Sequence, residues 1–303
     1  SLLSRGAKTQ GKMTFQLHKS GKKISAKFSV LGLNLSNNGS ICVMRDGKID
    51  FYLESERITR KKRDYAIRSL VKYAHDIDAI AICDSDWIKE SKKLLSSLDL
   101  SIVKNKFPDA EIYDYRDQHH MCHAASAFYN SGYDDAIAIV VDSNGSKTKK
   151  AQWEMVEIES IFDVPSWNVL YKKYWSPDDI GIGKKFEGVC EKYGFDKEDA
   201  GKVMGLSAYG KYEAYYVQQE WENRALELCK MYKDRNLVLS GGCFLNCVVN
   251  YKLQRELDVS FRVMPIAHDG GTAIGAAYLA TLNKSLAKTH ANISTQKFED
   301  RGD

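Results

Sequence analysis

Apolar runs broken by polar turns divide the chain into short strands and longer helices. Phe28-Ser29-Val30-Leu31-Gly32-Leu33-Asn34 reads as a strand, followed by the polar turn Ser36-Asn37-Asn38-Gly39-Ser40 and then Ile41-Cys42-Val43-Met44. In Arg45-Asp46-Gly47-Lys48 the Asp-Gly pair supplies the positive φ of a tight hairpin turn, and the chain returns as Ile49 to Glu54. A three-stranded antiparallel meander is therefore predicted. After it come a helix from Tyr65 to Ala74, the apolar strand Ala79 to Cys83, a helix near Ile88 to Leu98, a short strand around Glu111 to Tyr115, and a helix that contains His119 to His123. Strands alternating with helices after a meander predict a mixed sheet covered by helices.

A second unit of the same plan begins at Asp135. It opens with Ile137 to Val141 and Gln152 to Ile158, and continues later with Leu237 to Ser240 and the glycine turn Gly241-Gly242. A helix from Asn246 to about Leu257, a strand Phe261 to Met264 and a last helix from Gly271 to Leu282 complete it. The repetition is one of layout, not of residue identity. It predicts two lobes, 28–134 and 135–303, facing each other across a cleft into which strand ends and glycine turns project. A helical insertion at about 165–235, with helices over Gly183 to Tyr193, Asp199 to Ala208 and Glu213 to Lys233, is expected to shape access to that cleft or to thicken the fold.

Composition narrows the class. With 303 residues, 44% of them hydrophobic, the chain can bury a sizeable core, as one large domain or two lobes. No apolar run approaches the roughly 20 residues that span a bilayer. Residues 1–27 are polar and basic, without the apolar centre of a secretory signal, and are expected to form a flexible tail. A soluble, cytoplasmic protein is the default expectation. The seven cysteines include no CxxC pair, so reduced and mostly buried thiols are expected. The net charge is only +4, and its surplus sits in the tail and in Arg57-Ile58-Thr59-Arg60-Lys61-Lys62-Arg63. A solvated tail explains the first cluster more simply than a nucleic-acid arm does; the second is harder to dismiss.

The candidate chemistry starts at His119-His120-Met121-Cys122-His123, where a helix puts His119 and His123 one turn apart on one face. Asp142 emerges where the next apolar strand gives way to Ser143-Asn144-Gly145, and Asp269 lies far downstream in His268-Asp269-Gly270-Gly271, before an apolar helix. Two imidazoles and two carboxylates suit a divalent cation such as iron(II), manganese or zinc. An i, i+4 histidine pair is also an ordinary feature of amphipathic helices, and an aspartate opening a helix is a common N-cap. Two glycine turns sit where backbone amides and a helix N-terminus could cradle an anionic nucleotide: Gly241-Gly242, leading through Cys243-Phe244-Leu245 to Asn246, and Gly270-Gly271. Neither has the lysine of a P-loop, and glycine is also the default residue of tight turns.

Taken in order, these motifs resemble the N-terminal, metal-binding domain of the O-carbamoyltransferase family associated with nodulation factors, cephamycins and aminoglycosides. The matching residues are Leu31-Gly32-Leu33, the Arg45-Asp46-Gly47 hairpin, Glu56 to Arg60 with Lys62, HHMCHAASAF from His119, and Val140-Val141-Asp142. They continue with Gly201-Lys202-Val203-Met204-Gly205-Leu206-Ser207-Ala208-Tyr209-Gly210, then SGGCFLNCVVN over 240–250 and AHDGGTAIGAA over 267–277. The resemblance covers almost everything from Val30 to Leu282.

It implies an α/β, two-lobed fold of the actin, Hsp70 and sugar-kinase type, a duplicated ribonuclease-H-like unit with a helical insertion. It also implies a metal, usually iron, held by His119, His123, Asp142 and Asp269. The implied reaction moves a carbamoyl group from ATP-derived carbamoyl-adenylate to an acceptor hydroxyl, making a carbamate ester and releasing AMP. Lys62 is then expected to contact donor or acceptor, and Lys202, Gly205, Gly241, Gly242, Asn246, Gly270 and Gly271 to contact the nucleotide. Full-length members carry a second domain that makes the carbamoyl-adenylate, so a domain or protein with that activity is the expected partner. Where the family usually has His-Asp-Ser, this chain has Asn37-Asn38-Gly39; an amide does not titrate, so Asn37 and Asn38 are expected to hydrogen-bond acceptor or carbamoyl group. A threonylcarbamoyl transferase acting on tRNA shares the metal helix and glycine turns and is an alternative. A non-catalytic metal- and nucleotide-binding module is another. The acceptor stays open among sugars, antibiotic scaffolds and hydroxymethylated nucleobases.

Overall fold

The Asp46-Gly47 turn forms as its sequence predicts, with φ of 51° and 75°. It joins β2 (Ser40–Arg45) to β3 (Lys48–Glu54), and both follow β1 (Ser29–Asn34) in an antiparallel meander. The computed structural model describes residues 28–84, 90–150 and 153–284. The tail 1–27, Ile88 and Gln152 lie outside the described residues.

After α1 (Ser55–Thr59), strand β4 (Ala79–Cys83) pairs parallel to β1, with Leu31 opposite Ile80. Helix α2 (Glu90–Lys106) leads to β5 (Glu111–Asp114), parallel to β4, and α3 (His119–Tyr129) closes the first half. The second half repeats this plan. Strands β6 (Ala136–Val141), β8 (Trp153–Val164) and β9 (Asn168–Tyr174) form its antiparallel meander, to which β7 (Lys147–Lys150) adds a hairpin on β8. Helices α4 (Ile182–Lys192), α5 (Ala200–Ser207) and α6 (Tyr212–Lys230) precede β10 (Leu237–Ser240), α7 (Cys247–Glu256) and β11 (Phe261–Val263). A last helix, α8, covers 272–284. The first sheet runs β3-β2-β1-β4-β5 and the second β9-β8-β6-β10-β11, with the same pattern of antiparallel and parallel neighbours. The two halves are thus one topology used twice, which is the duplication expected.

Side-chain alternation sorts the strands into three cores. Leu31, Leu33, Ile41, Val43, Ile80 and Ile82 face outward from the first sheet onto Val103 of α2. Ile137, Ile139, Val141, Leu237 and Leu239 do the same in the second, against Phe186, Trp221 and Leu253. The inner faces are built of smaller residues, among them Ala79, Ala81, Cys83, Ala136, Ala138 and Val140, in one cluster with Ala124 and Ala125 of α3 and Ala273, Ala276 and Ala277 of α8. Small side chains are needed because both helices run between the sheets. A Cβ on Gly275 of α8 would lie 1.8 Å from the carbonyl oxygen of Cys122 in α3. Helix α3 packs on β6, β8 and β10 of the second sheet. Helix α8 sits against the first, where Thr281 Oγ1 meets Met44 Sδ and Asn283 donates to Tyr115 Oη at 2.8 Å.

Two expectations change. The helix predicted over Tyr65 to Ala74 is only a 3-10 turn at Val71–Tyr73. The backbone there is claimed from the side: Ile67 N–H donates to the buried Asp99 Oδ2 at 2.8 Å and Ser55 Oγ donates to the Ala66 carbonyl at 2.7 Å. The stretch 165–235, expected as a helical insertion, opens with β9, whose ladder with β8 makes it part of the sheet. No helix among the described residues is long and apolar enough to cross a membrane.

Candidate metal centre and cleft

The helical spacing of His119 and His123, the end of β6 and the turn before α8 bring four side chains to one point. Nε2 of His119 and Nε2 of His123 are 3.2 Å apart. Asp142 Oδ2 lies 3.7 Å and 3.4 Å from them, and Asp269 Oδ1 3.5 Å and 3.7 Å. All four donor atoms fall within 4.8 Å of one another. A tetrahedral ion with ~2.1 Å bonds sets its ligands about 3.4 Å apart, which matches the histidine and carboxylate spacings.

The protonation pattern fits the same purpose. Nδ1 of His119 is 3.3 Å from the carbonyl oxygen of Asp84, which only accepts, so Nδ1 carries the proton and Nε2 presents its lone pair to the cluster. His123 places Nδ1 3.3 Å from Ser240 Oγ at the end of β10, again turning Nε2 inward. Two inward lone pairs and two carboxylates repel one another unless a cation, whether a metal ion or a proton, lies among them. Burial pushes both imidazoles toward the neutral form, but Asp142 and Asp269 outweigh it and raise their pKa values. Burial likewise favours neutral carboxyls, yet the two histidines hold Asp142 and Asp269 below the ordinary range. Asp142 Oδ2 is buried with no hydrogen-bond partner, as a ligand atom would be. The residues therefore fit a borderline to hard divalent cation.

The backbone holds these groups closely. Gly241 has φ of 94°, and a Cβ there would lie 2.3 Å from the Val141 carbonyl oxygen, so only glycine lets β10 turn against the strand end that delivers Asp142. Asp142 Oδ1 accepts from Ser143 N–H at 2.7 Å. Asp269 Oδ2 accepts from Ser36 Oγ at 3.0 Å, a contact from the first half.

A cleft of about 620 Å³ opens over the cluster, and Asp142 and Asp269 form part of its wall. Asn37, Asn38, Gly242 and Asn246 also line it. Asn246 has a structural task besides: its side chain caps α7 by accepting from Val249 N–H at 3.1 Å. The other predicted residues stand differently. The Gly270 amide donates to His268 Nδ1 at 3.1 Å and the Gly271 amide to the His268 carbonyl at 2.9 Å, so the turn consumes the N–H groups expected to meet a phosphate. Gly241 is the hinge behind Gly242, and Gly205 is exposed on α5 with open space beyond its Cα. Lys62 and Lys202 both pair with Asp199, at 3.2 and 2.7 Å. Beside them Arg63, which does line the cleft, pairs with Glu198 at 3.3 Å and Asp199 at 3.4 Å, joining the first half to the start of α5.

Sequence reasoning missed Ser36, Arg63 and Asp199. Ser36 had one signal, a short polar residue in the turn beside Asn37. His268 also lines the cleft, but Nδ1 takes the Gly270 N–H and Nε2 faces Glu54 Oε1 at 3.4 Å, so neither nitrogen is open to substrate.

Sheets repeated in this order around a central cleft define the two-lobed fold of actin, Hsp70 and the sugar kinases, here with a buried His/Asp cluster at the cleft floor. The chain belongs to the carbamoyltransferase N-terminus family, which it matches over residues 77–227 and 216–278. It is similar to nodulation protein NolNO of Sinorhizobium fredii, at 23% identity over 80% of this chain and 46% of that protein. Nodulation protein NolO of Bradyrhizobium diazoefficiens is 24% identical over 54% of this chain and 38% of its own. The chain thus spans less than half the length of either. Component A of the (R)-2-hydroxyglutaryl-CoA dehydratase of Acidaminococcus fermentans shares the fold, with a TM-score of 0.52 and 14% identity over 86% of this chain and 99% of that one.

Proposed function

We propose that the chain is the carbamoyl-transferring half of an O-carbamoyltransferase, taking carbamoyl-adenylate as donor and a hydroxyl-bearing acceptor. The observation that carries this reading is the convergence of His119, His123, Asp142 and Asp269 on one point of the cleft wall. Family membership supports the transferred group. In the reaction, the acceptor oxygen bonds to the carbamoyl carbon and the bond from that carbon to the phosphate oxygen breaks. AMP leaves with the electron pair, and the hydroxyl proton is released.

The four side chains would hold iron(II) or a similar divalent ion, which when bound supplies Lewis-acid polarisation of the carbamoyl carbonyl or the phosphate. The chain's own residues orient the reactants. Asn37 and Asn38 offer carboxamides to acceptor or carbamoyl group without titrating, and Gly242 lets the donor approach the backbone. Lys62 and Lys202 neutralise donor phosphate once they exchange Asp199 for it. The donor comes from a carbamoyl-adenylate-forming domain or protein. Sugars, antibiotic scaffolds and hydroxymethylated nucleobases are the acceptor classes to test.

The test has two readouts. Elemental analysis after anaerobic purification is expected to find about one divalent metal per chain, lost in both His119→Ala and Asp269→Ala. With carbamoyl-adenylate generated in situ from labelled carbamoyl phosphate and ATP by a donor-forming enzyme, label is expected in one acceptor class and absent with both variants. Label appearing equally with the variants would overturn the reading, and so would a metal-free parent protein.

A further inference from the structure

We infer that Ser36 is a positioning residue of the metal centre, setting which oxygen of Asp269 faces the ion; this rests on the proposed metal reading. The two carboxylate oxygens of Asp269 have different surroundings. Oδ1 lies 3.5 and 3.7 Å from the histidine Nε2 atoms, whereas Oδ2 is 3.0 Å from Ser36 Oγ. Ser36 is buried, and its hydroxyl has two acceptors within reach, Asp269 Oδ2 and Asn34 Oδ1 at 2.7 Å. A hydroxyl has one proton. Asn34 Oδ1 also receives the Ser36 backbone N–H at 3.0 Å, and a carboxylate is the stronger acceptor, so the hydroxyl divides its proton between the two oxygens and Asp269 Oδ2 is the charged one it holds. That bond turns Oδ2 away from the cluster and leaves Oδ1 as a single ligand atom.

The contact does more than orient one carboxylate. Asn34 also donates through Nδ2 to the carbonyls of Asn37 and Asn38, at 2.9 and 3.2 Å. One carboxamide therefore ties the turn that brings Asn37 and Asn38 into the cleft to the serine that holds a metal ligand. Ser36 belongs to the first half of the chain and Asp269 to the second, so the ion's geometry is keyed to how the halves meet.

A control is built into the same turn. Ser40 Oγ donates to the Gly270 carbonyl at 2.8 Å, another buried contact from this loop to the 269–271 turn, but one that touches no ligand atom. Cobalt(II) titration of the full chain, followed by visible absorption and by chelator competition, separates the two roles. Ser36→Ala is expected to weaken cobalt binding at least about tenfold and to change the band shape. Ser40→Ala is expected to bind as the parent does, and the metal-free melting temperatures of both variants to stay near the parent's. Parental affinity and spectrum in Ser36→Ala would overturn the inference, and so would equal loss in both variants, which marks a merely structural loop contact. A parent chain that binds no cobalt would instead overturn the metal reading itself.

Discussion

Gly275→Ala tests whether the cluster depends on how closely α3 and α8 approach. The added Cβ would lie 1.8 Å from the Cys122 carbonyl oxygen and 2.6 Å from its carbon. Both are backbone atoms in a helix, so no rotamer change relieves the clash. Carbon and oxygen rest no closer than about 3.2 Å, so the helices must part by roughly 1.4 Å. Cys122 lies between His119 and His123, and Asp269 immediately precedes α8, so the displacement falls on the ligands. The 3.5 Å from His119 Nε2 to Asp269 Oδ1 would open toward ~5 Å, well past the ~3.4 Å edge of a tetrahedral site. Overpacking of this kind costs about 1–3 kcal/mol, or a melting shift of several degrees in a protein this size. Scanning calorimetry and elemental analysis of the same preparation check both effects. Parental melting together with full metal content in Gly275→Ala would refute the reasoning.

Three further outcomes are expected. Lys172→Met strands Glu157, a buried carboxylate 2.6 Å from Lys172 Nζ, and should cost about 3 kcal/mol in urea unfolding, the low end for breaking a buried pair because the lysine is partly exposed. Burial pushes the Glu157 pKa up, but His120 and Lys172 bring it below the ordinary range. Its stabilisation is thus present at neutral pH and drains away as pH falls through the folded-state pKa; a parent and variant with identical acid-unfolding midpoints would contradict this. Trp221→Ala removes a buried ring that packs on Phe244 at 5.2 Å and donates to the Cys243 carbonyl at 3.1 Å, with an expected loss of about 3–5 kcal/mol by the same assay. Asp199→Asn releases Lys62 and Lys202, whose hydrogen bonds hold the Asp199 carboxyl down to about 2, so limited trypsin digestion should cut faster after both lysines; an unchanged rate would mean they are held otherwise.

Period and punctuation made the fold legible. Strands such as Ala79–Cys83 and Leu237–Ser240 carry uninterrupted apolar runs because both faces are buried, and the Asp-Gly turn is local chemistry. The His/Asp quartet was legible for a similar reason: a helical i, i+4 pair and two aspartates at element ends are patterns along the chain. Other features arise only from packing. The amides of Gly270 and Gly271 look available in a string of letters, but His268 folds back onto them. Tyr65 to Ala74 has helical spacing, yet Asp99, distant in sequence, takes the N–H of Ile67. Nothing local tells Asp199 to add Lys62 and Arg63 to its i, i+3 partner Lys202, since those two come from the other half.

The crossing of α3 and α8 gives the molecule a single indivisible centre. Each half surrenders its final helix to the other's sheet, so a chain severed near residue 134 would yield two pieces, each with an alanine-lined sheet face missing its cover. Such pieces have every reason to reassociate and little capacity to persist alone. For the same reason the walls of the cleft can tilt about the glycine-tight crossing of the two helices but cannot swing apart like independent jaws.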